Sequence, residues 1–137
     1  MRGLLAAALA LAIVGPVQAG APTGNSLKVG QTFQCTDAEG KWGVTIVIGR
    51  IDETRLGEIV SVSMTPLMGF PEMKHLPFLA EYVTQGCTPT TRKPLSRDFK
   101  VGYARWKTAF DAGEAKAFDK SPSDVYRQLL EQLRNGQ

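Results

Sequence analysis

The chain is poor in the residues that most often carry chemistry. It holds one histidine and two cysteines in 137 residues, and a zinc site, which needs three or four ligands, would have to consume both cysteines. No glycine-rich phosphate loop is present: Gly40, Gly43 and Gly49 bracket a strand-like segment at turns or bulges, without the following helix that such a loop requires. No serine stands in the Gly-X-Ser-X-Gly turn of the hydrolases. The longest apolar run, Leu4 to Val14, has eleven residues, well short of the roughly 20 that span a bilayer. Sixteen Lys and Arg against thirteen Asp and Glu leave +3, too small an excess for a dedicated nucleic-acid binder. With 43% hydrophobic and 21% charged residues, the chain is neither disordered, collagen-like nor a multi-span membrane protein. No motif specifies a reaction, and none implies a cofactor.

What is present speaks first about compartment. Arg2, the run Leu4–Val14, the break at Gly15-Pro16 and the small residue Ala19 have the form of a secretory signal peptide over residues 1–19, cut after Ala19. No cysteine follows the cut, so no lipid attachment is expected. Residues 20–30, rich in Gly with Pro, Asn and Ser, read as a flexible lead-in to a single domain over residues 31–137. In an exported, bacterial, periplasmic or secreted protein, Cys35 and Cys87 read as one disulfide closing a loop of 52 residues. Neither has the Cys-X-X-Cys spacing of a redox pair.

Periodicity predicts an α+β fold: a three-stranded antiparallel meander, with a short fourth strand left open, packed on one face by two or three helices. Thr32–Thr36 alternates, Asp37-Ala38-Glu39-Gly40 turns, and Lys41–Ile51 is the central strand with Val44, Ile46 and Ile48 on one face and Val47 and Ile51 on the other. Asp52–Gly57 reads as a polar turn before a third strand through Val60, Val62 and Met64. Pro66, Gly69, Pro71 and Pro77 predict a loop, with Pro77 opening a helix whose buried stripe is Phe78, Leu79, Tyr82 and Val83 and whose stop is Gly86. Thr88–Ser96 reads as a second loop, and Tyr103, Trp106 and Phe110 as the apolar stripe of a helix ending at Gly113. Ala115–Asp119 fits a short strand or a helical turn equally. Ser121-Pro122-Ser123-Asp124 is an N-cap signal for a last helix with Val125, Tyr126, Leu129, Leu130 and Leu133 inward.

Gly49-Arg50-Ile51, Gly57-Glu58-Ile59-Val60, His75-Leu76-Pro77-Phe78 and Gly102-Tyr103-Ala104-Arg105-Trp106 together resemble a pattern of small bacterial proteins of uncharacterised function. The resemblance implies a β-hairpin, a helix starting at His75-Leu76-Pro77-Phe78 and a second helix carrying Gly-Tyr-X-X-Trp, and it brings no activity.

Function is sought in two places. From Arg92 to Lys107 six basic residues face Asp98 alone, and Arg97, Lys100 and Lys107 are the candidates for binding an anionic envelope component or another protein. The proline-rich loop offers Met68, Phe70, Met73 and His75 as a second candidate surface. His75 is also where an acid–base enzyme would be centred: Ser61 or Ser63, His75 and Asp52 can be written as a triad. The leading expectation is a non-catalytic exported binding module with no metal and no cofactor. A small hydrolase on His75 and a structural subunit of an envelope complex are the alternatives.

Overall fold

The computed structural model describes residues 27–67 and 71–136. The signal-peptide reading, most of the lead-in, Met68 and Phe70 lie outside the described residues.

The fold is α+β, with a five-stranded, wholly antiparallel sheet in place of the expected three strands. In chain order the elements are β1 (Thr32–Cys35), β2 (Val44–Thr54), β3 (Gly57–Pro66), β4 (Met73–Leu79), α1 (Ala80–Val83), β5 (Cys87–Pro89), α2 (Phe99–Asp111) and α3 (Pro122–Arg134). Strands lie in the order β4-β3-β2-β1-β5. The helices cover both faces rather than one.

The first face is the apolar one. Phe33, Cys35, Val44, Ile46, Ile48, Val60, Val62, Met64, Leu76 and Phe78 close against Val83 of α1 and Val125, Tyr126 and Leu130 of α3. Burying this β-branched and aromatic set is the main driving force for the fold. Ser121 caps α3 as expected, its hydroxyl accepting from the Asp124 N–H, and Ser123 donates to the Trp42 carbonyl, anchoring α3 to the turn before β2. Leu133, expected inward, is 61% exposed.

Gly49 changes the pattern along β2. The register slips between Ile48 and Arg50, so that Ile51 stands opposite Val60 on the apolar face, not beside Val47. A bulge inserts one residue and so reverses the alternation that follows it. The slip also brings Arg50 and Asp52 to the second face. There Phe99 of α2 lies against Gly49 so closely that a Cβ would fall 2.4 Å from its ring.

Two corrections concern proline. Met73–Leu79 is a strand, not a loop followed by a helix, and the helix is confined to Ala80–Val83. Pro77 is tolerated because β4 is outermost: its carbonyl accepts from the Phe118 N–H, and Leu79 N–H returns a bond to the Phe118 carbonyl, so this position faces away from β3 and no ladder donor is lost. Residues 115–119, undecided from sequence, supply only a single parallel bridge from Phe118 to Phe78. The segment expected as a loop after Gly86 begins with β5, where Cys87 stands in register with Cys35 and bonds to it. A disulfide suits an oxidising, non-cytoplasmic environment.

Candidate functional site

The second face of the sheet is polar, and it is arranged in three rows across the strands. The first lies under α2. Ser61 and His75 meet there, with Phe99, Tyr103 and Trp106 closing over them. His75 Nε2 and Ser61 Oγ are 2.9 Å apart. The imidazole is ringed edge-on by Phe99 and Tyr103 at 5.4 and 5.8 Å, and Trp106 is tilted against it at 5.6 Å. Gly102 lets the helix approach, since a Cβ there would stand 2.8 Å from His75 Cβ. Burial among these rings lowers the His75 pKa from 6.5 to about 4, because a desolvated cation is costly and no carboxylate offsets it.

This is a hydrogen-bonded Ser–His pair without the rest of a catalytic machine. Ser61 is fully buried, so its oxygen is closed to a substrate. Asp52 accepts instead from the Tyr103 hydroxyl, at 2.9 and 3.1 Å to its two oxygens. Burial, with this bond and the Asp52 charge, pushes the Tyr103 phenol up to about 12. Arg50 completes the arrangement, its guanidinium 4.9 Å from the Tyr103 ring centre. A nucleophile, its base and an orienting acid must be linked in sequence for triad chemistry. Here serine–histidine and tyrosine–aspartate are two separate pairs. A cavity of about 420 Å³ lies beside His75, walled by Trp106, Lys116 and Phe118; Trp106 donates to the Lys116 carbonyl across its rim. Among the described residues no group of three His, Cys, Asp or Glu is placed to hold a metal.

The second row is Thr32–Val47–Ser63, three residues in mutual register. The chain from Lys93 to Ser96 crosses it as a strap, tied at both ends: the Lys93 N–H donates to the Thr32 hydroxyl at 3.1 Å and the Ser96 N–H to the Ser63 hydroxyl at 3.3 Å. The third row, Gln34–Thr45–Thr65, lies on the far side of the strap from α2. A groove of about 480 Å³ opens there, with Thr45, Ser63 and Thr65 in its floor, Leu67 and Glu72 at one side, and Lys93, Leu95 and Ser96 at the other.

The residues singled out from sequence fall into distinct places. Arg97 and Lys100 are exposed, just before and within the first turn of α2, and neither has an ion-pair partner among the described residues. Lys107 is spoken for, with its ammonium 2.8 Å from Asp111 one turn on. Arg92, Lys93 and Arg105 are likewise exposed and without an ion pair among the described residues. Asp98, the one acid of the segment, is held by Lys74 of β4 at 2.9 Å. Met73 is half-buried, packed against the apolar core, and His75 is on a strand under a helix. The groove is not visible in the sequence because Thr45 and Thr65 look like ordinary solvent-facing strand residues. The alternation marks their face, and only the path of the strap marks the groove. Among the described residues no helix is long and apolar enough to cross a membrane. Comparison with family models, with curated proteins and with solved structures finds no match to this chain.

Proposed function

We propose that the protein is an exported, non-catalytic binding module of the cell envelope and that its partner is anionic. The observation that carries this reading is the run of exposed cations without ion pairs among the described residues along the strap, its flanks and α2: Arg92, Lys93, Arg97, Lys100 and Arg105. Lys28, Lys41, Arg55, Lys116 and Arg134 are also exposed without an ion pair among the described residues, but they are scattered along the chain; the set from Arg92 to Arg105 is distinguished by its density. Exposed like charges close in sequence repel one another and are relieved when an anion lies across them. The buried Ser61–His75 pair speaks against the hydrolase alternative, because its serine has no open side.

Binding of an anionic polymer, followed by titration calorimetry at rising salt, tests the reading. Affinity should fall steeply as ionic strength approaches 0.15 M, where the Debye length is about 8 Å. Changing Arg97, Lys100 and Lys107 together to Gln should remove most of the binding with the melting temperature nearly unchanged, since exposed charges contribute little to stability. Lys107→Gln alone should matter least, because its charge is already shared with Asp111. A folded triple variant that binds like the parent refutes the assignment to this surface.

A further inference from the structure

We infer that the groove beside the strap is a saccharide site, and that the anionic partner is a glycan bearing carboxylates, of the uronic-acid class. This rests on the anion-binding reading above and adds to it what the anion is attached to. Three features meet in the groove. Its floor is lined by Thr45, Ser63 and Thr65, with the Ser63 hydroxyl also accepting from the Ser96 N–H, and Gln34 continues the row beyond Thr45. Hydroxyls and an amide both donate and accept, so a row of them matches a ligand whose own edge is a row of hydroxyls. Bare phosphate offers no such edge.

The two sides of the groove differ in charge. Lys93 stands on the strap side, followed by exposed Arg97, and Glu72 stands opposite. A uronate has both kinds of complement: its carboxylate turns to the cationic side, and its ring hydroxyls donate to Glu72, which only accepts when ionised. The opposed charges thereby fix one orientation. Val47, Leu67 and Leu95 add apolar surface for the C–H face of a sugar ring. The volume of about 480 Å³ lies within the ~300–1,000 Å³ usual for small-ligand sites.

Ser96, in the groove wall, carries a buried hydroxyl with no hydrogen-bond partner among the described residues, and like that of Ser61 it is closed to a ligand. It belongs to the strap, whose backbone is tied to the sheet through the Thr32 and Ser63 hydroxyls.

The experiment titrates the full-length, disulfide-intact protein with three probes: a galacturonate tetrasaccharide, the neutral galactose tetrasaccharide, and inorganic polyphosphate, a polyanion without hydroxyls. Anionic phospholipid vesicles serve as a fourth arm. The uronate should bind tightest, and the methyl signals of Thr45, Thr65 and Leu95 should shift on its addition. Thr45→Val with Thr65→Val keeps shape and strand preference while removing two hydroxyls; it should weaken uronate binding at least tenfold and leave polyphosphate within twofold. Lys93→Gln should weaken both anions. If the valine variant binds uronate like the parent, or if the three methyl signals stay fixed in the parent protein, the saccharide assignment falls while anion binding stands. The saccharide assignment also falls if vesicles, polyphosphate or the neutral tetrasaccharide bind more tightly than uronate. If no anionic probe binds at all, the underlying reading falls with it.

Discussion

His75 makes the stability of this protein depend on pH in a way that can be worked out in advance. In the unfolded chain its pKa is 6.5; in the folded protein burial beneath α2 brings it to about 4. Since the folded value is the lower one, the unfolded chain takes up the proton first, and each pH unit between the two values favours unfolding. The contribution is fully present above about pH 7 and is lost progressively as pH falls toward 4. At about 1.36 kcal/mol per unit, the interval amounts to about 3 kcal/mol, which the solvent-facing edge of the half-buried ring reduces to about 2 kcal/mol. That is a large share of the ~5–15 kcal/mol by which domains are held folded. Urea unfolding at pH 7.5, 6.5, 5.5 and 4.5, followed by tryptophan fluorescence, measures it in the parent and in His75→Gln. The variant keeps a hydrogen-bonding side chain opposite Ser61 but does not titrate. It should be less stable at pH 7.5 and yet lose about 2 kcal/mol less than the parent on going to pH 4.5. Glu58, whose carboxyl is raised by burial and by the neighbouring Glu53, acts with the opposite sign and is common to both proteins, so it cancels in the difference. Parallel pH profiles for the two proteins would refute the claim that His75 is held neutral by its surroundings.

Other outcomes follow from packing and chain connectivity. Gly49→Ala drives a methyl into the Phe99 ring, and Gly102→Ala drives one into His75 Cβ; each should cost about 1–3 kcal/mol in urea melts, as overpacking does. Ser121→Ala removes the acceptor for the Asp124 N–H and should cost about 1 kcal/mol. Reducing Cys35–Cys87, which closes a separation of 52 residues, should destabilise by about 4 kcal/mol on the chain-entropy model; thiol titration of the unreduced, denatured protein should find no free thiol.

Much of the fold is legible in local signals, and the misses share a cause. The strands β1 to β3 and helices α2 and α3 have regular alternation, an apolar stripe or a cap, so local chemistry and tertiary packing agree. The strand β4 is hidden by Pro77, which argues against a ladder in isolation; only the outermost place in the sheet, with Phe118 beside it, makes proline harmless. The reversal of Ile51 is hidden because Gly49 marks a turn or bulge in the sequence but does not say that the alternation resumes on the other face. The site divides in the same way. The basic segment is visible as a composition, and Arg97 and Lys100 stay exposed as expected. The pairing of Lys107, the burial of Met73 and the encounter of His75 with Ser61 depend on neighbours that periodicity does not select. The pairing of Asp52 with Tyr103 rather than with His75 is of that kind too.

The disulfide has a consequence for the sheet as a surface for self-association. Strand β5 has only three residues, and with the flanking bonds from the Thr36 N–H to the Gly86 carbonyl and from the Thr90 N–H to the Thr32 carbonyl it covers the outer edge of β1 among the described residues. The cross-link in register with Cys35 therefore acts as a latch on a shutter. With the latch closed, the outermost strand is short and ends in Pro89, a poor template for another chain. With it open, β1 offers its unpaired N–H and C=O groups to any extended neighbour, and copies of the protein can stack edge to edge. Light scattering at high concentration should therefore rise when reductant opens this bond.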